Sequence, residues 1–120
     1  MSRLELNRQF QDRKLGILVP TYNNAATLPR LLTDLLEYTD RIIVVNDGST
    51  DNTSEILFAF TSLHIIDYPR NKGKGVALRT GFTAARSLGY ENLITIDSDG
   101  QHFADDLPLF LKAKIGRAHV

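Results

Sequence analysis

Four short apolar, β-branched runs punctuate the chain: Gly16-Ile17-Leu18-Val19-Pro20, Arg41 to Val45 (RIIVV), Leu63 to Asp67 (LHIID) and the run that opens at Leu93 (LITI). They are continuous rather than alternating, which predicts central parallel strands covered on both faces. Pro20 is expected to stop the first. Between the runs the period changes to that of a helix. Leu28, Leu31, Leu32, Leu35 and Leu36 fall at i, i+3, i+4, i+7 and i+8, one stripe of a helix over 25–38. Asn24 is its expected cap, and Pro29 is tolerable because it lies near the first turn.

A second helix is predicted over 51–60, capped by Ser49 or Thr50, with Ile56, Leu57 and Phe60 inward. A third runs to about Leu88 and packs through Ala77, Gly81, Ala84 and Leu88, with Arg79 and Arg86 outward. Small residues on that face predict a close approach to the sheet. Gly89 ends it, and Asp105-Asp106-Leu107-Pro108 has the signature of another helix start. Residues 1–15 mix charge with Leu4, Leu6 and Phe10, which predicts a short helix or frayed lead-in of little functional weight.

Strands alternating with helices predict an α/β fold with a mostly parallel sheet, flanking helices and right-handed crossovers. Such sheets bind ligands outside the carboxyl ends of their strands. The polar turns PTYNN, NDGSTD, RNKGKG and DSDGQH all fall at those ends.

Composition narrows the class. A chain of 120 residues holds one domain at most, and 42% hydrophobic with 23% charged residues fits a globular protein rather than a disordered one. Net charge is +0, so nothing in the totals points to nucleic acid or an anionic membrane. Cysteine is absent, which excludes disulfides and thiolate metal sites. No apolar run approaches the ~20 residues of a spanning helix, and MSRLELNRQFQDRK has no signal-peptide core. The expected location is cytoplasmic, at the inner face of the membrane for a full-length parent, with membrane association only through residues outside this chain.

The turns carry the chemistry. In Asp97-Ser98-Asp99-Gly100-Gln101-His102, two carboxylates one residue apart and an amide two further on can present hard oxygen ligands to Mg²⁺ or Mn²⁺. The alternative is an Asp-rich turn held by its own backbone. It is disfavoured because neighbouring acids repel unless a cation or proton separates them. A calcium loop fails, since the glycine comes too early and Pro108 stands where the twelfth-position Glu belongs. His102 could touch a phosphate or serve structure equally well. Lys72 and Lys74, in a glycine-rich loop before a helix, suit phosphate or a merely solvated loop. Neither Gly-x-x-x-x-Gly-Lys-Ser/Thr nor Gly-x-Gly-x-x-Gly is present. Asp47 could accept from a base or ribose, although by itself Asp-Gly-Ser-Thr is ordinary turn chemistry. Tyr22 could stack on a base or cap the sheet edge.

Taken in order, these motifs resemble the inverting family 2 glycosyltransferases of the GT-A (Rossmann-like) fold, and within them the dolichyl-phosphate mannose synthase and polyprenyl-phosphate glycosyltransferase branch. The match runs from about Lys14 to Pro108. The resemblance implies that Pro20, Thr21, Tyr22, Val45 and Asp47 line a nucleoside pocket and that Lys74 lies near the donor. It implies that Asp97 and Asp99 flank the sugar-diphosphate as the catalytic pair, with Ser98 in the nucleotide-sugar set, and that Asp99 and Gln101 contact Mg²⁺ or Mn²⁺. The donor would be a UDP- or GDP-sugar, and the acceptor a polyprenyl phosphate or a cell-envelope glycan. Many relatives carry Glu at the position of Asn24 and Asp at that of Asn46. The acceptor site and base of this family follow the Asp-x-Asp loop, so the expectation is the nucleotide-binding half only, over 16–113, without turnover on its own. A sugar-nucleotide pyrophosphorylase would need a glycine-rich basic loop after the first strand, where this chain has Pro20-Thr21-Tyr22-Asn23. A receiver-like Mg²⁺-binding signalling module would need its phosphorylatable acid at Asp67, but Tyr68-Pro69 follows and the Asp-x-Asp lies a strand later. Finally, Ile115 to Val120 breaks the pattern begun by Leu107 and matches one translated frame of a sequencing-adapter oligonucleotide. Residues 114–120 are therefore expected to be a non-native tail.

Overall fold

The structure, a computed structural model, describes residues 2–98 and 118–119. Among these described residues nine elements follow in order: α1 (Arg3–Asp12), β1 (Leu15–Thr21), α2 (Leu28–Leu36), β2 (Ile42–Asp47), α3 (Thr53–Phe58), β3 (His64–Tyr68), α4 (Lys74–Ser87), β4 (Asn92–Thr95) and β5 (Ala118–His119). The sheet order is β3-β2-β1-β4-β5. The first four strands pair in parallel, as their unbroken apolar runs require, and β5 pairs antiparallel with β4. Ala118 and His119 belong to the stretch expected as a tail. The predicted helix from Asp105 lies outside the described residues.

Strand alternation divides the core in two. Ile17, Val19, Ile42, Val44 and Ile94 face the layer built by α1, α2 and α3, where Leu28, Leu32, Leu35 and Leu57 are buried. Leu18, Ile43, Val45 and Leu93 face α4, whose Ala77 and Ala85 meet them. The predicted close approach is real. A Cβ on Gly81 would lie 2.3 Å from Leu18 Cδ1, so only glycine lets α4 come this near the sheet.

Several local expectations are corrected. Of the two readings of the N-terminal stretch the short helix holds, but it is more than a lead-in: Ser2 caps α1 through the Glu5 amide, and Leu6 and Phe10, one helical turn apart, are fully buried in the first core layer. Leu88 is 41% exposed, because α4 has ended and Ala85 occupies the inward position. The helices α2 and α3 are shorter than predicted. Ile56 and Phe60 are only half-buried, and Asn24 does not cap α2, whose N-cap is Thr27.

Pro20 does not end β1, and bond parity explains why. Ile17 N–H donates across to Arg41 on the β2 side, whereas Leu18 C=O accepts from Ile96 on the β4 side. Pro20 shares the parity of Leu18, so its missing N–H faces β4. That strand's register with β1 closes at Leu18↔Thr95, before Pro20 is reached. Nothing in the ladder is lost.

Candidate functional site

The carboxyl ends of the strands surround a cleft of about 320 Å³, within the size range of small-molecule sites. Pro20, Thr21, Tyr22 and Asn24 line it from the first turn, and Asp47 from the second. Gly73 and Lys74 line it where α4 begins, and Asp97 and Ser98 beyond β4. Tyr22 is 43% exposed at this wall. Three of the four predicted turns therefore meet, together with the described part of the fourth.

The turns are tied to one another in a closed circuit. Asn23, held at φ 54 in a left-handed conformation that asparagine tolerates, accepts through Oδ1 from Thr50 N–H (2.8 Å) and Asp51 N–H (3.2 Å). Its own N–H donates to Ser49 Oγ at 2.9 Å. The Asp51 carboxylate also accepts from Ala25 N–H at 3.2 Å. Its pKa is lowered, first by the hydrogen bond from the Thr53 hydroxyl, so it stays charged in this knot. These bonds join the first turn to the second.

Asp47 joins the second to the third. Its carboxylate takes the amides of Lys72 (2.8 Å) and Gly73 (3.0 Å), one on each oxygen. Gly48, at φ +69, lets the backbone of Arg70 and Asn71 lie where a Cβ would be. The hydroxyl of Tyr68 is buried without a hydrogen-bond partner among the described residues. Burial comes first in pushing its pKa up to about 12, and the nearby Asp47 carboxylate adds to it, as a hydrogen-bond acceptor and then as a charge.

Across the cleft, Lys74 Nζ meets Asp97 Oδ1 at 2.8 Å, joining the third turn to the fourth. Lys74 opens α4, whose N-cap is Gly73 with no side-chain cap, so first-turn amides stay available beside the ammonium. Ser98 closes the circuit back to the first turn, through bonds to Thr21, Asn24 and Thr27.

The structure thus gathers Pro20, Thr21, Tyr22, Asp47, Lys74, Asp97 and Ser98 around one space. It does not bring Val45 there. Val45 is fully buried on the α4 face of the sheet, in contact with the core rather than the cleft. Lys72 divides from Lys74, because its Nζ lies 5.2 Å from the centre of the Tyr68 ring. Asp99, Gln101 and His102 lie outside the described residues. Asn46 is fully buried, donating to Ser54 and Asp67 and accepting from Ser49, so it braces the second turn. Asn24 and Asn71 are cleft residues the sequence reading did not select. The paired asparagines after Tyr22 were the available signal, since side chains that satisfy turns can equally tie one turn to another.

Among the described residues no cluster of three or more His, Asp or Glu is placed to hold a metal. The predicted donor set is nevertheless all hard oxygen, which suits Mg²⁺ or Mn²⁺. Its described neighbour Asp97 already draws a cation, the Lys74 ammonium, to the cleft.

A mostly parallel sheet with helices on both faces and a polar cleft beyond its carboxyl edge is the GT-A arrangement. Residues 16–117 match the family described as Glycosyl transferase family 2, and the chain belongs to that family. It is 31% identical over 113 residues to UDP-N-acetylglucosamine--dolichyl-phosphate N-acetylglucosaminyltransferase of Methanococcus voltae, covering 80% of this chain and 45% of that one. It is 30% identical over 105 residues to human dolichyl-phosphate beta-glucosyltransferase, covering 73% of this chain and 32% of the relative. The chain therefore spans less than half the length of these relatives. Among solved structures, glucosyl-3-phosphoglycerate synthase from Mycobacterium tuberculosis in complex with Mg²⁺ and uridine-diphosphate superposes with a TM-score of 0.72 at 23% identity, covering 93% of this chain and 43% of that chain.

Proposed function

We propose that this chain forms the donor-binding half of an inverting, metal-assisted glycosyltransferase that takes a UDP- or GDP-sugar and serves a polyprenyl-phosphate acceptor. The observation that carries the reading is the circuit of turns closed across the cleft by Lys74 and Asp97. Dolichyl phosphate in the names of two relatives, and Mg²⁺ with UDP in a structural neighbour, support the ligand classes.

Each described residue has a role in this reading. Tyr22 and Thr21 form the wall for the nucleoside. Asp47 organises the loop that delivers Lys74 and the first amides of α4, which suit a pyrophosphate by charge and by dipole. Asp97 faces the same space from the other side, next to the sugar-diphosphate. Asp99 and Gln101 would hold Mg²⁺ or Mn²⁺ beside it, and such an ion, when bound, neutralises charge growing on the departing nucleoside diphosphate. In-line attack by the acceptor oxygen on the anomeric carbon, with inversion, completes the proposal. Groups that bind and deprotonate the acceptor are assigned to residues beyond this chain, so the chain by itself is expected to bind donor without turning it over.

Isothermal titration of UDP and GDP into the 120-residue chain, in MnCl₂ and in EDTA, tests this. Binding of at least one nucleotide, weakened by EDTA, is the expected result. A folded chain that binds neither in MnCl₂ overturns the proposal.

A further inference from the structure

Thr27 occupies the N-cap position of α2, yet its hydroxyl makes no capping bond to that helix. It donates instead to the Ser98 carbonyl at 2.6 Å. Asn24 turns the same way, its Nδ2 donating to Ser98 Oγ at 2.8 Å. The single proton of the Ser98 hydroxyl has two acceptors in reach, Thr21 Oγ1 at 2.9 Å and the Pro20 carbonyl at 3.3 Å. Ser98 is 2% exposed, so these bonds are made out of water, where leaving a partner unmatched is costly.

The backbone ladder does not do this work. Among the described residues, the last backbone bond from this strand to β1 is Ile96 N–H to Leu18 C=O. Asp97 follows at once, and its side chain is about half exposed. What fixes the segment past Ile96 is Ser98, held at its hydroxyl by Thr21 and Asn24 and at its carbonyl by Thr27.

We infer that Thr27 and Asn24 are positioning residues that, through Ser98, set the Asp97 carboxylate at the cleft for the donor's pyrophosphate and its cation. The inference rests on the nucleotide-sugar reading above. The Thr27 hydroxyl is free to serve the acidic turn because the start of α2 asks little of it: Leu28 N–H is bonded to the Asn24 carbonyl, Pro29 has no N–H, and Leu31 N–H is bonded to the Thr27 carbonyl. Thr27 does not line the cleft, so its effect on ligand is indirect; the shortest bond of its side chain is the one to Ser98.

The test uses Thr27→Val, with Thr27→Ser as the conservative rescue, in the full chain. UDP and GDP are titrated in EDTA and in MnCl₂, and Mn²⁺ alone is followed by electron paramagnetic resonance. The expected result is nucleotide affinity in EDTA within twofold of wild type, a roughly tenfold loss of the enhancement by Mn²⁺ in Thr27→Val, and its return in Thr27→Ser. Equal losses with and without the metal mean a merely structural role and overturn the inference, as does an unchanged enhancement. A ligand-free arm measures amide hydrogen exchange. Exchange at the Ile96 amide, which is bonded to the Leu18 carbonyl, should quicken at least tenfold in Thr27→Val and Asn24→Ala, with β1 and β2 amides unaltered. Unchanged exchange there overturns the inference by itself. A wild-type chain that binds no nucleotide instead overturns the functional reading, and the exchange arm still decides the positioning role.

Discussion

Lys74 Nζ and Asp97 Oδ1 lie 2.8 Å apart, the first residue of α4 bonded to the segment just past β4. Both side chains are about half exposed, at 62% and 49%, so the pair contributes little to folding, on the order of 0–1 kcal/mol. Lys74→Met should leave the urea midpoint nearly unchanged. The same change should weaken UDP or GDP binding about tenfold, because an ammonium aimed at phosphate is worth on the order of 1–3 kcal/mol. Titration calorimetry beside a urea melt checks the contrast. Equal affinity in the variant would remove Lys74 from the donor site.

Asp47 should behave in the opposite manner. It is 4% exposed and both its oxygens are taken by backbone amides. Asp47→Asn turns one acceptor into a donor that faces an N–H, costing roughly 1–3 kcal/mol of stability. Because the loop that carries Lys74 is released, nucleotide binding should fall as well. A urea melt and a UDP titration on one preparation measure both effects.

Gly81→Ala tests the packing of α4. The new methyl would lie 2.3 Å from Leu18 Cδ1, in a fully buried side chain with its Cγ only 3.0 Å away. Overpacking of this kind costs about 1–3 kcal/mol. A lower urea midpoint is expected; an unchanged one would show that helix and sheet separate easily.

Alkaline pH isolates Tyr68. Its pKa is raised from 10.0 to about 12 in the folded chain, by burial first and then by Asp47. Between those values the unfolded state gives up the proton while the folded state keeps it, so stability falls as pH rises through that window. Tyr68→Phe removes this contribution. It also deletes a buried hydroxyl without a partner among the described residues, so the variant should be at least as stable at pH 8. The difference between variant and wild type should widen in the variant's favour at pH 11, read from urea midpoints at both pH values.

What could be read from the sequence follows from which forces are local. The runs GILVP and RIIVV declared buried parallel strands because burial on both faces permits no alternation. The placing of four polar turns at strand ends then fixed where ligand chemistry would gather. Pro20 was misread because its tolerance depends on how far a neighbouring strand extends, which its own surroundings in sequence do not encode. Leu6 and Phe10 were undervalued because charged neighbours mask a two-residue apolar face. Val45 was assigned to the cleft by analogy, whereas alternation along β2 turns it to the core. Asn24 has the right composition for a cap. That it bonds a serine 74 positions away is a tertiary fact.

The early end of the β4 pairing changes what fastens the rim of the sheet. The register with β1 closes at Leu18↔Thr95, yet Ser98 still reaches Pro20 and Thr21 through its hydroxyl. Past the ladder, side chains take over from backbone. A rim fastened by hydroxyls can be altered by single substitutions that leave every strand whole.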